Sequence, residues 1–179
     1  MKLFINTILL FAGLSLADTP VPDSLKVDLD EVVAAESVVP ADGITVSGQP
    51  DEEALAVFAE SGYTTVIDLR GRQENRGLDE QAAVEALGMS YVPLPIENGD
   101  QVSFESAAEL TRLIDEADGP VLLHCGSGNR VGALLALAKH QDGASVEESI
   151  RYGEEGGLTR LRTLVEKRLA DASSEESSP

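Results

Sequence analysis

Val121-Leu122-Leu123-His124-Cys125-Gly126-Ser127-Gly128-Asn129-Arg130-Val131-Gly132-Ala133 decides how the rest of the chain is read. An apolar run ends in a His-Cys pair, passes two glycines and meets an arginine that opens an alanine- and leucine-rich segment. That pattern predicts a strand, a tight loop and a helix. Cys125 is the only cysteine of the sequence, and the pattern puts it at a helix N-terminus. Backbone N–H groups and the helix dipole favour negative charge there. A free thiol with a pKa near 8.5 is only about 3% thiolate at pH 7, so such a setting is what a cysteine nucleophile needs.

The helix after the loop, Arg130 to His140, is apolar on every side, which predicts a buried central helix. Upstream, strands and helices alternate. Gly43–Ser47 reads as a short strand, and Asp51–Ser61 as a helix with acidic residues in its first turn. Tyr63–Leu69 is β-branched and bounded by turn signals, as a buried strand should be. Asp79–Leu87 and Met89–Leu94 follow as helix and strand. Ser103 caps a helix to about Asp118. Downstream, Ser145-Val146-Glu147-Glu148 is a capping box, and Leu158, Leu161, Leu164, Val165 and Leu169 predict a final amphipathic helix. The fold class expected is α/β: one domain over residues 43–170, a mainly parallel sheet with helices on both faces. Ligands of such sheets bind beyond the carboxyl ends of the strands. The loops after Leu69, Leu94 and His124 should therefore meet.

The ends of the chain read differently. Residues 1–17 have a basic start, an apolar core and small residues before Asp18, which predicts a secretory signal cleaved after Ala17. Leu3–Leu16 is too short to span a bilayer comfortably, so an exported protein, periplasmic or secreted, without stable membrane association is expected. Residues 18–42 read as an arm or linker packed loosely on the domain. Residues 171–179, a Ser/Glu tail without large apolar groups, read as disordered. The formal net charge of −19 argues against non-specific binding to nucleic acid or anionic membranes. One cysteine excludes an internal disulfide.

From Gly119 to Gln141 there is no acidic residue in this very acidic chain, which spares Cys125 a repelling neighbour. Gly126, Ser127, Gly128 and Asn129 form a candidate anion-binding loop whose glycines let successive N–H groups point inward. Arg130 offers a planar fork to two oxygens of an anion. His124 points to the other side of the strand and reads as loop support through hydrogen bonds. His140 reads as a helix C-cap residue. Arg70, Arg72 and Arg76 follow a strand and are candidates for the rim of the site. No metal site and no cofactor are expected. The substrate expected is a small anion or a sulfane-sulfur donor, and nothing in the sequence fixes an oligomeric state.

The loop from His124 to Arg130 resembles that of protein tyrosine and dual-specificity phosphatases, and that of rhodanese sulfurtransferases. With Ser47-Gly48-Gln49-Pro50 and Gly62–Arg70 it is similar to a bacterial family, the beta-lactamase hydrolase-like, phosphatase-like domain (DUF442), over roughly residues 43–140. The resemblance implies a protein tyrosine phosphatase-like fold with Cys125 and Arg130 as catalytic residues. It also implies that a phosphatase would need an acid for the leaving oxygen, for which Asp100 and Glu97 are candidates. Phosphatases of this type have five residues between cysteine and arginine. Here there are four, the rhodanese length, and Val131 stands where a hydroxyl is usual. On that count a rhodanese-like sulfurtransferase working through a Cys125 persulfide is expected first. A phosphatase working through a Cys125 phosphoenzyme is the alternative, and a non-catalytic anion- or partner-binding domain, its loop closed by the arm at 18–42, the second.

Overall fold

A computed structural model describes residues 25–176. The expected signal, residues 1–17, lies outside them. Four strands, β1 (Ile44–Ser47), β2 (Thr65–Asp68), β3 (Ser90–Pro93) and β4 (Val121–His124), form one sheet in the order β1-β4-β2-β3, every pair parallel. Seven helices accompany them among the described residues: α1 (Leu29–Ala35), α2 (Glu52–Glu60), α3 (Glu80–Ala86), α4 (Phe104–Asp115), α5 (Asn129–Gln141), α6 (Val146–Glu155) and α7 (Arg162–Glu176). This is the single-domain α/β architecture that the alternation of elements predicts.

The two-residue period of the strands builds two cores. Ile44, Val46, Ile67, Val121 and Leu123 pack with α4 to α7, and Cys125 continues on that side. Val66 and Leu122 pack on the other side with Val32 of α1, Leu55 and Phe58 of α2, and Val84 of α3. On that second side the ladder places Asp68 directly beside His124. The carboxyl end of the sheet is therefore apolar on one face and ionisable on the other.

Helix α5 is buried at Val131 and from Gly132 through Leu137, as its all-round apolarity requires. Gly132 makes its packing possible. A Cβ there would collide with the backbone of Gly153 and Leu158, so α6 and the turn after it lie backbone-to-backbone on α5.

Two regions differ from their sequence reading. Residues 25–42 are not a loose arm: Leu25, Val32 and Val38 are buried, and Val27 N–H and Leu25 C=O pair with Val46 at 2.9 and 2.7 Å. Only α1 is helical there, two turns that depend on burial against α2 and give little periodicity to read. At the other end, α7 continues through Asp171 to Glu176. Ser173 and Ser174 hydroxyls donate back to the carbonyls of Leu169 and Asp171 at 2.9 and 2.7 Å, the local back-bonding that serine makes within a helix.

Candidate active site

The loops after β2, β3 and β4 do converge. Helix α5 begins after Gly128, whose φ of 81° is left-handed, a conformation that glycine adopts without strain. Helices α1 to α4 and α6 each have an N-cap side chain that accepts from the first turn: Asp28, Asp51, Asp79, Ser103 and Ser145. Helix α5 has no side-chain cap. Its first-turn N–H groups stay available beside Cys125, as an anion site requires. Gly48 forms an antiparallel bridge with Ser127, which ties Ser47-Gly48-Gln49-Pro50 to the loop.

Gly126 and Ser127 face solvent, whereas Cys125 is buried at the bottom of the loop. Asn129 has a different task from the one expected of it. Its Oδ1 accepts from Thr159 N–H at 2.8 Å, Thr159 Oγ1 at 3.1 Å and Leu161 N–H at 3.3 Å. The side chain braces the turn before α7, and only its backbone belongs to the loop.

Arg130 is set by Glu74, a residue that the sequence did not single out. Glu74 Oε2 accepts from Nη2 at 2.9 Å, and Oε1 makes a very short contact with Nη1. Nη1 also reaches the carbonyls of Leu69 at 3.4 Å and Ile96 at 3.2 Å. Glu74 thereby takes the end-on edge of the guanidinium. The side-on edge, Nε–H with the outer Nη2–H, remains for Cys125 and an incoming anion, and Nη2 stands over Gly126. The hydrogen bond from Arg130 lowers the Glu74 carboxyl to about pKa 2. Glu74 in turn raises Arg130, with Cys125 adding to the effect. The fork is permanently charged and held in one plane.

Of the three rim candidates, two turn inward. Arg70 donates to Gln49 Oε1 at 2.5 Å, Glu74 Oε2 at 3.1 Å and the Asn75 carbonyl at 2.9 Å. Arg76 donates from Nε to Asp68 Oδ2 at 2.6 Å, with Glu80 Oε2 at 3.4 Å. Burial opposes the Arg76 charge, but the hydrogen bond and charge of Asp68 outweigh it and raise its pKa. Arg72 is exposed. Glu97 Oε1 accepts from Arg72 N–H at 2.9 Å. Glu97 lines a pocket of about 260 Å³ together with Ile96, Asn98, Asn129, Arg130 and Leu161. Asp100 sits on the next 3-10 turn, Gly99–Gln101, exposed and with no side-chain partner among the described residues.

His124 is fully buried, with Nε2 3.0 Å from Glu80 Oε1 and 3.6 Å from Asp68 Oδ1. Neither ring nitrogen makes a hydrogen bond, so the loop support through His124 hydrogen bonds that the sequence suggests is not what the structure shows. These three side chains have metal-like spacing, within 4.8 Å. The Arg76 guanidinium already lies on both carboxylates, however, and opposes a second cation there.

A family model described as DSP-PTPase phosphatase fused to NAD+ kinase matches residues 36–176. A curated beta-lactamase hydrolase-like protein of Xylella fastidiosa is 34% identical over 132 residues, 70% of this chain and 30% of the relative. The chain thus spans less than a third of that relative's length. Two solved structures share the fold. A phosphatase candidate from Neisseria meningitidis has TM-score 0.60 and 22% identity over 70% of this chain and 92% of its own. A DUF442 phosphatase candidate from Shewanella putrefaciens has TM-score 0.57 and 20% identity over 77% and 88%.

These findings correct the preference for sulfur transfer, and neither the rhodanese-like reading nor the sulfurtransferase activity stands. Four intervening residues measure the length of the loop, whereas the chemistry follows from where its groups point. An uncapped helix N-terminus and an arginine fork fixed by a carboxylate match the oxygens of a tetrahedral anion. The fold is protein tyrosine phosphatase-like, the loop is of the cysteine-dependent kind, and the chain belongs to the family of DSP-PTPase phosphatases fused to NAD+ kinase.

Proposed function

We propose that the chain is a cysteine-dependent phosphatase acting on small phosphomonoesters. The observation that carries this reading is the Glu74–Arg130 pair over the Cys125 loop, which leaves one guanidinium edge and the α5 amides for a phosphoryl group. Phosphoryl transfer relies mainly on such positioning and charge stabilisation. In the first step the Cys125 thiolate attacks phosphorus, an S–P bond forms and the ester P–O bond breaks. Asp100 gives its proton to the departing oxygen. Glu97 suits that role less well, because its carboxylate joins two loops through Arg72 N–H. In the second step water attacks phosphorus while the Asp100 carboxylate takes its proton, the S–P bond breaks, and inorganic phosphate leaves with the thiolate and the Asp100 acid restored. Val131 is buried in the core and offers no hydroxyl to the departing sulfur, so this step is expected to be the slower.

The test is hydrolysis of p-nitrophenyl phosphate by the native protein and by Cys125→Ser. Native turnover with an initial burst of one nitrophenol per chain, lost in the variant, is the expected result. A folded native protein that releases no phosphate sinks the reading. Phosphate binding without turnover would then favour a binding domain, a reading supported by the Lys26 side chain lying across Gly128. Export is proposed on residues 1–17 alone; N-terminal sequencing that finds Met1 on the protein outside the cytoplasm would exclude cleavage.

A further inference from the structure

A groove on the α2–α3 side of the molecule takes no part in these steps. It is made of two hollows that meet at Glu52. The first, about 410 Å³, opens beside Gln49 and Arg76 and is walled by the first turn of α2. The second, about 430 Å³, follows α3 from Asp79 to Leu87 over Ala82, Ala83 and Ala86. At 1.5 Å per residue that helical wall is about 12 Å long. Leu87 is one of three large apolar side chains exposed among the described residues. A floor of alanine and leucine left open to water favours an occupant that carries apolar groups.

The rim gives the sign of that occupant. Asp51, Glu52, Glu53 and Asp79 are all exposed. Asp51 and Asp79 are held in place as helix caps, their Oδ1 atoms accepting from Ala54 N–H at 2.8 Å and Ala82 N–H at 3.3 Å. From Val27 to Leu69 and from Gly77 to Thr111 there is no lysine, arginine or histidine, so α1, α2 and α3 carry no cation of their own. Arg76, the basic residue of the lining, is turned to Asp68 and Glu80 at 2.6 and 3.4 Å. Among the described residues, the groove carboxylates do not reach the mutual spacing of metal ligands. They are strung along an edge, which suits a chain that bears cations at intervals.

We propose that this groove docks a basic segment of a partner protein, extended, with lysine or arginine at alternate positions and aliphatic residues between. At about 3.3 Å per residue, four residues cover the α3 wall. Alternation turns the aliphatic side chains to the floor, and the long basic stems bend back to the rim. The groove shares no lining residue with the pocket beside Arg130, so a docked segment leaves the nucleophile loop open. Gln49, at the groove's end, follows Gly48, which bridges to Ser127. The partner is thereby held next to the site rather than in it.

The proposal concerns a partner, not the substrate, and its test requires no phosphatase turnover. A labelled hexapeptide of alternating lysine and leucine is titrated with the purified protein and followed by fluorescence anisotropy. Binding that weakens with added salt is expected. Affinity should fall about tenfold in Glu52→Lys, at the junction of the hollows, and in Ala86→Lys, on the floor. Glu60→Lys makes the same change of charge on α2 outside the groove, and should change affinity less than about twofold, because salt screens distant charges. Equal losses in Glu60→Lys and Glu52→Lys would mean attraction by net charge alone and overturn the proposal. A lysine–serine hexapeptide bound as tightly as the lysine–leucine one would leave the floor without a role and also overturn it. Spermine bound as tightly as the peptide would make the occupant a small polycation, and no binding to the native chain would leave none; either result sinks the proposal. All three substitutions lie at exposed helix positions. Should a groove variant fail to fold, the comparison of the two peptides on the native chain still decides.

Discussion

His124 and Cys125 are adjacent in the chain and point to opposite sides of the sheet, into surroundings that have almost nothing in common. On the Cys125 side, α5 is held by shape: Gly132 lies against the backbone of Gly153 and Leu158, and leucines fill the remaining space. On the His124 side, the strand ends are held by charge, with Asp68, Glu80 and Arg76 in contact. The apolar side fixes where the α5 amides begin. The ionisable side, together with Glu74, fixes where the guanidinium plane and the loop above it stand. A site for an anion needs both, because position without charge gives no affinity and charge without position gives no selectivity.

The contrast can be broken most severely at Gly132. Gly132→Ala places a methyl group against main-chain atoms that cannot rotate away. It is expected to cost about 3 kcal/mol, at the upper end for an overpacked core. Urea unfolding reads it as a lowered midpoint with an unchanged slope, and the loss should be the same in low and high salt. A second change on the same side is smaller. Asn129→Ala deprives two backbone N–H groups and a hydroxyl of their acceptor, a loss of about 1 kcal/mol because these donors are only part-buried and water can replace the acceptor. Phosphate affinity should fall with it if the turn at 159–161 helps to hold the loop.

Glu74→Gln probes the charged partner of the fork and should reduce kcat/KM about tenfold, the loss of a ground-state clamp on Arg130. Its effect on stability has a defined pH dependence. The native Glu74 carboxyl is lowered from 4.5 to about 2, first by the Arg130 hydrogen bond. Its contribution is therefore complete above pH 4.5 and is lost as the pH falls toward 2. Native and variant unfolding midpoints should differ by a constant amount from pH 7 to pH 5 and converge below pH 4.5. The gap should be small, because Glu74 is about one-third exposed and solvent screens it. A gap that widens in acid would refute the assignment.

Much of this was legible in the sequence, for identifiable reasons. Strand, loop and helix around Cys125 follow from local apolar pattern and glycine placement. Asp51, Ser103 and the Ser145–Glu148 box cap helices because capping is a property of a few neighbouring residues. Glu74 was not legible, since its partner lies 56 residues away and its own surroundings, Arg72 to Arg76, look like a solvated polar loop. The buried ion group left a fainter trace. Asp68 is a carboxylate inside a strand that otherwise reads as wholly buried, which calls for a charged partner. Parallel register alone places that partner in β4. The chemistry was misread because residue count was taken for geometry. The orientation of Arg130 is a tertiary fact, set by Glu74 and by the carbonyls of Leu69 and Ile96.

The nucleophile loop is clasped by both ends of the described chain. Lys26 donates its amide to the Glu155 carbonyl at 3.1 Å and runs its side chain over Gly128 and Gly157, and Asn129 is fastened to Thr159 and Leu161. During synthesis from the N-terminus, Cys125 emerges well before the turn that completes its surroundings. The loop therefore cannot close until residue 161 has been made, and the thiol acquires its full set of contacts only after α6 and the turn beyond it have left the ribosome.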